Sequence, residues 1–173
     1  MDRARDVGRD NVQRQLEFII SVASTISFND IAVISYATDA EIVIRPGQAS
    51  NFSEFAQTLR DANYSMGHMK NLGEALTKSQ NIAELFNPSK PGLVVAMISG
   101  KSHDDTSLPA EELKKKGVTI VALVFGTSYS QAQITLLVSI PENDHKLKTD
   151  FDSLKHFIST TRNKICKGNA LNS

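Results

Sequence analysis

Leu93-Val94-Val95-Ala96-Met97-Ile98 is a run of six apolar residues without a polar break. Strict alternation would mark a strand with one wet face. An unbroken apolar run marks a strand covered on both faces, as in a parallel sheet sandwiched between helices. Two more stretches read the same way: Val118 to Phe125, after a Gly117 stop, and Ile31 to Tyr36, after an Asn29-Asp30 turn. Ala40 to Ile44 reads as the neighbour of the latter, joined through Thr38-Asp39 and ended by Pro46-Gly47. His145 to Thr149 is a weaker edge strand.

Helical patterns lie between these strands. Gly8-Arg9-Asp10 opens a helix to about Thr25, with Val12, Leu16, Ile19 and Ala23 at helical spacing. Asn51 or Ser53 caps a short helix carrying Phe52, Phe55, Ala56 and Leu59. After a loop from Asn63 to Lys70, a longer helix is expected from Leu72 to Phe86, with Leu72, Ala75, Leu76, Ile82 and Leu85 inward and Asn87-Pro88 as its stop. Pro109 begins another, through Lys116. Ser128 to Val138 reads as helical or irregular, and Asp150 to Cys166 as a closing amphipathic helix.

Alternating strands and helices, with wholly apolar strands, give a doubly wound, mostly parallel α/β fold. The 173 residues suit one domain, expected over 1–166, with a tail from 167 to 173. Ligands of such sheets bind beyond the carboxyl ends of the strands. That directs attention to Tyr36–Asp39, Ser99–Asp105 and Gly126–Tyr129.

Bulk charge excludes two classes of partner. Lys plus Arg number 19 and Asp plus Glu 19, so no net field draws the chain to nucleic acid or to an anionic membrane. The run Lys114-Lys115-Lys116 follows Glu111-Glu112 and reads as a solvated helix end. No apolar stretch reaches the ~18 residues that span a bilayer. Met1 to Asp10 is charged and lacks the apolar segment of a signal peptide. Cys166 is a single cysteine and cannot form an internal disulfide. Asn51-Phe52-Ser53 and Asn63-Tyr64-Ser65 are sequons, so Asn51 and Asn63 are glycosylation candidates if the chain is secreted.

Several local patterns resemble the von Willebrand factor type A domain family. Val7-Gly8-Arg9-Asp10-Asn11-Val12 is similar to the entry into its first helix, and Ile31 to Tyr36 to its second strand. Leu72-Gly73-Glu74-Ala75-Leu76 resembles its Thr-Gly-x-Ala-Leu helix start. Val94 to Ile98 followed by Ser99-Gly100-Lys101-Ser102 resembles the strand ending in Thr-Asp-Gly-x-Ser. Ile140-Pro141-Glu142-Asn143 and Asp150-Phe151-Asp152-Ser153-Leu154 resemble the last strand and helix. The order holds from about Asp2 to Cys166.

The resemblance implies a divalent metal at the top of the sheet, held by Asp-x-Ser-x-Ser, a Thr and an Asp, and completed by a partner's acidic side chain. Oxygen ligands of this kind suit Mg²⁺. This chain departs from that set. The first motif aligns as Asp2-Arg3-Ala4-Arg5-Asp6, the Thr position falls on Lys70, and the Asp position on Ser99. Ala4 has no ligand atom, and a lysine ammonium donates only. The metal site is therefore expected to be degenerate, with Lys70 either pairing with Asp2 or Asp6 in its place or pointing into solvent. The family also carries an apolar strand ahead of its metal motif, where Met1 alone stands here. The expectation is an N-terminally truncated domain; donation of that strand by another chain is the alternative. Cys166 fits truncation, because family members often tie the last helix to a cysteine ahead of that strand.

Other chemistry is discounted. His68, His103, His145 and His156 show no metal-ligand spacing, and Gly100-Lys101-Ser102 lacks the earlier glycine of a phosphate loop. Asp104-Asp105 reads as an exposed loop, and no base is indicated for Cys166. Met66 and Met69 are either soft contact surface or core filler. The chain is thus expected to be a non-enzymatic, extracellular protein-binding module without cofactor, similar to the degenerate A-type modules of type VI collagen chains. Its partners would be collagen, another matrix protein or another such domain, met through Arg3, Arg5, Lys70 and His103. A metal-dependent module built on Asp2, Asp6 and Ser99 is the alternative; a Rossmann-like enzyme would need an acid/base pair that the strand ends do not offer.

Overall fold

A computed structural model of the chain describes residues 1–83 and 92–163. In chain order it contains α1 (Arg9–Ala23), β1 (Val33–Tyr36), β2 (Ala40–Ile44), α2 (Phe52–Asp61), α3 (Leu72–Ala83), β3 (Leu93–Ile98), α4 (Ser107–Lys115), β4 (Thr119–Phe125), α5 (Gln131–Leu137), α6 (Glu142–His145) and β5 (Lys146–Thr149). The chain then passes through a 3₁₀ turn at Leu154–Phe157 into a helix over residues 158–163. Leu85, Phe86, Asn87-Pro88 and Cys166 lie outside the described residues.

β3, β4 and β5 form a parallel sheet, and β1 pairs antiparallel with β2. The pleat sorts side chains onto two faces. Met97, Leu123 and Phe125 join Leu16, Phe18, Phe55 and Leu154 in one core, under α1, α2 and the last helix. Ala96, Ile98, Ile120, Ala122 and Val124 join Leu72, Leu76, Leu113 and Ile134 in the other, under α3, α4 and α5. Burial of an aliphatic side chain contributes roughly 1.5–3 kcal/mol over leaving it exposed, so β4, buried from Ile120 to Phe125, is a main source of stability. The doubly wound α/β architecture expected from the apolar runs is the one found.

Met1 to Arg3 is the link between the two sheets. Tyr36 N–H donates to Met1 O (3.0 Å) and Arg3 N–H to Tyr36 O (2.9 Å), a short parallel ladder along β1. On its other side the Asp2 carboxylate reaches Ser99, just past β3. Among the described residues this segment alone represents the central strand that the resemblance implies. Below it, Ile34, Leu93, Val94 and Val95 are only partly buried.

Several boundaries differ from the sequence reading. Phe28–Asp30 forms a 3₁₀ turn, so β1 begins at Val33 rather than Ile31. α4 begins at Ser107 rather than Pro109, because Asp105 Oδ1 accepts the Ser107 N–H (2.9 Å) and a proline is tolerated in a first turn, where N–H groups lack helical partners. His145 closes the short α6, and the edge strand starts at Lys146. Residues 150–153 form no helix. Asn51, not Ser53, caps α2, its side chain accepting the Glu54 N–H at 2.9 Å. Gly8, at φ 80°, turns the chain into α1 through a conformation that only glycine adopts without strain.

Candidate functional site

The loops at the carboxyl end of the sheet converge on Asp2. Its carboxylate is buried and its position is fixed from three sides. Oδ1 accepts the Ala4 N–H (3.0 Å), and Oδ2 accepts the Ser99 hydroxyl (2.6 Å) and N–H (3.3 Å). From α1, Gln15 clasps the Asp2 backbone, accepting its N–H at 3.0 Å and donating to its carbonyl at 2.8 Å. Gln133 of α5 does the same for Ser102, at 3.0 Å in both directions. Two helices thus hold two of the loops in place, each through one glutamine side chain.

Lys70 enters this site from the side. Its side chain is only 7% exposed, its ammonium donates to Asp6 Oδ1, and it lies 3.9 Å from Asp2 Oδ2. The stem crosses Gly100, where a methyl group would come within 2.7 Å of Lys70 Cε, so the lysine depends on a residue without a side chain there. Asp6 is 70% exposed and closes the pair from the solvent side. Of the two possibilities for Lys70, pairing with the carboxylates is the one found.

This donor set does not fit a divalent cation. Ala4 offers no oxygen, Asp2 is already hydrogen-bonded through both its oxygens, and the ammonium adds a positive charge beside them. Among the described residues no group of three or more His, Cys, Asp or Glu side chains could hold a metal. Beneath the site, Tyr36 donates its hydroxyl to Met97 O at 2.7 Å. Burial, reinforced by the Asp2, Asp104 and Asp6 carboxylates, pushes its phenol well above the ordinary range, so it keeps its proton near neutrality.

The residues carrying Lys70 are held by Ser102, His103 and Asp104. His103 Nδ1 accepts the Lys70 N–H (3.0 Å), the Ser102 hydroxyl accepts the Leu72 N–H (3.1 Å), and the two Asp104 carboxylate oxygens accept those of Gly73 and Glu74 (2.8 Å each). Asn71 N–H donates to Ala37 O at 2.8 Å. Those from Asn71 to Glu74 are the donors that the start of a helix leaves unpaired, and the Lys70 bond fixes the loop ahead of them. Asp104, read from sequence as part of an exposed loop, is the cap of α3.

Two of the expected contact residues are corrected by burial. Arg3 is 0% exposed: its guanidinium donates to Ser35 Oγ (3.2 Å), Ser65 O and Asp39 O (3.2 Å) and pairs with Asp39 Oδ1 (3.1 Å). It is an internal tie between loops and cannot reach a partner. Lys70, nearly as enclosed and paired with Asp6, is likewise not a contact residue. Arg5 and His103 are exposed, and Arg5 lies 3.5 Å from His68. The sequence reading discounted His68 as a metal ligand without placing it among the contact residues, and left Met69, which is 41% exposed on the same loop, as either contact surface or core filler. Asn51 and Asn63 are both exposed.

The von Willebrand factor type A domain profile matches residues 1–160. Human vitrin is 24% identical over 177 residues, covering 96% of this chain and 25% of vitrin. The collagen alpha-1(XXI) chain of Xenopus laevis is 21% identical, covering 96% of this chain and 18% of that one. The chain therefore spans about a quarter or less of these relatives. Proximal thread matrix protein 1 from the mussel byssus superposes with a TM-score of 0.85 at 19% identity, over 96% of this chain and 46% of that one. A further structure of the mussel protein has a zinc-occupied MIDAS motif. With the profile matching nearly the whole described chain, and a strand-and-helix fold that superposes on the mussel protein over 96% of this chain, the chain belongs to the von Willebrand factor type A domain family.

Proposed function

We propose that this domain is a non-enzymatic protein-binding module of an extracellular matrix or adhesion protein, and that it recognises its partner by side-chain contacts without a divalent ion. The observation that carries this reading is the Lys70 ammonium enclosed between Asp6 and Asp2. A metal at the same place would face a fixed positive charge and a carboxylate that already accepts three hydrogen bonds. The exposed surface around it, from Arg5, His68, Met69 and His103, is the contact region. Partners of the matching chemistry are collagen, another matrix protein or another domain of this type. Kinship with a collagen chain and structural likeness to a thread matrix protein support that class. Catalysis finds no support at the strand ends, where the Tyr36 phenol retains its proton and the Asp2 and Asp104 carboxylates are fully engaged in hydrogen bonds.

The test pairs calorimetry with binding. Mg²⁺ titrated into the chain is expected to give no binding heat, and adhesion to immobilised collagen and matrix proteins is expected to survive a chelator. The double variant Lys70→Thr with Ser99→Asp restores a hydroxyl and a carboxylate and is expected to gain Mg²⁺ binding. Chelator-sensitive adhesion of the unaltered chain would overturn the reading.

A further inference from the structure

We propose that His103 makes the loop leading into α3 acid-labile: on taking a proton its ring releases the Lys70 N–H, two residues ahead of the helix, and loosens the backbone that carries the Lys70 ammonium. This inference concerns the chain by itself and does not depend on the partner proposed above.

The backbone donors from Lys70 to Glu74 meet acceptors of different chemistry. Leu72 bonds a hydroxyl, Asn71 a main-chain carbonyl, and Gly73 and Glu74 a carboxylate. Lys70 N–H bonds an imidazole nitrogen at 3.0 Å. That nitrogen can accept only while it carries no proton, so the ring proton sits on Nε2. Protonation places an N–H on Nδ1, and two donors then face each other across the former bond. Of these acceptors only the imidazole nitrogen loses its acceptor site outright on protonation, since a protonated carboxyl keeps an acceptor oxygen. His103 is therefore the acid-sensitive partner of this stretch.

The bond is also well placed to matter. It pairs with a second one, His103 N–H to Lys70 O at 2.8 Å, so the two residues close a small ring between loops. His103 is exposed, so solvent protons reach it without unfolding. The charged and titratable groups at this end of the sheet include Asp2, Arg3, Arg5 and Asp6 before α1, Tyr36 and Asp39 around the β1–β2 turn, His68 and Lys70 before α3, Glu74 in its first turn, and Lys101, Asp104 and Asp105 on the histidine's own loop. Asp104 is held by Gly73 and Glu74, Asp105 by Ser107, and Asp6 by Lys70. The sign follows: the bond exists with the neutral ring, so its contribution is present at higher pH and is lost as pH falls.

The test is amide hydrogen exchange of the whole chain, read by NMR at about pH 7.5 and pH 5.5 and corrected for the intrinsic rate. Protection at Lys70 is expected to fall roughly fivefold on acidification, the worth of one modest hydrogen bond. Gly73 and Glu74, bonded to Asp104, should keep theirs, which separates local release from global unfolding. His103→Asn supplies a non-titrating oxygen near the Nδ1 position and should hold Lys70 equally at both pH values. Unchanged protection of Lys70 in the parent chain, or an equal fall in the Asn variant, overturns the inference. So does ¹⁵N NMR of the parent ring at pH 7.5 showing the proton on Nδ1, a readout that does not need the variant to fold.

Discussion

Replacing Lys70 with Met keeps the length and apolar stem of the side chain and deletes its charge. Asp2 is then a buried carboxylate facing no cation. At 3.9 Å the Lys70–Asp2 attraction is about 4 kcal/mol for an effective dielectric near 20. The cost of burying the ammonium offsets part of that. Asp2 also keeps its three donors from Ala4 and Ser99, so the loss is smaller than for a pair with no other support. Asp6 is 70% exposed and adds less than about 1 kcal/mol. The expected net destabilisation is about 2–3 kcal/mol, or about 5–10 °C in melting temperature for a domain of this size. Urea denaturation of Lys70→Met beside Asp6→Asn measures both terms, and Asp6→Asn should cost the smaller amount. If Lys70→Met stays within about 0.5 kcal/mol of the parent, the range of ordinary surface changes, then Lys70 points into solvent and the reasoning fails.

Arg3→Met leaves Ser35, Ser65 O and Asp39 without their donor and is expected to cost about 3 kcal/mol, whereas Arg3→Lys keeps the charge but loses the planar fork and should fall between; chemical denaturation ranks the three. Alanine at three glycines should rank by what the new methyl meets: Gly73→Ala worst, against the Asp105 backbone at 1.9 Å, Gly67→Ala next, against the Thr38 backbone at 2.6 Å, and Gly100→Ala mildest, because the Lys70 stem can move away. Thermal melts check that order. Asn51→Ala removes the α2 cap and should lower stability by about 1 kcal/mol. Secretion from a eukaryotic host should add glycan mass at Asn51 and Asn63 that Asn→Gln at each position removes, measured by mass spectrometry; unmodified protein would exclude the sequons.

The sheet was legible because its strands are apolar on both faces. Leu93–Ile98 and Val118–Phe125 admit few other readings, and β3 and β4 fall inside them. The α2 cap was legible as well, since its acceptor sits in the same local stretch as its helix. The cap of α3 was not: Asp104 is about thirty residues from the amides it holds, and local cap rules look only at the preceding residue. Arg3 misled for the same reason. A basic residue in a loop motif reads as solvent-facing, and its acceptors at Ser35, Asp39 and Ser65 lie 32, 36 and 62 positions away. The family pattern set Lys70 at a ligand position, but its ammonium could equally have paired with Asp2 or Asp6 or turned to solvent. Its enclosure followed from Gly100, whose role as a passage for a lysine stem has no sequence signature of its own.

A cation anchored by four methylenes has no free concentration. Its place beside Asp2 and Asp6 is set at synthesis, so neither dialysis nor a chelator strips that charge from the chain. Where a bound ion comes and goes with its surroundings, the charge carried by Lys70 is written into the gene.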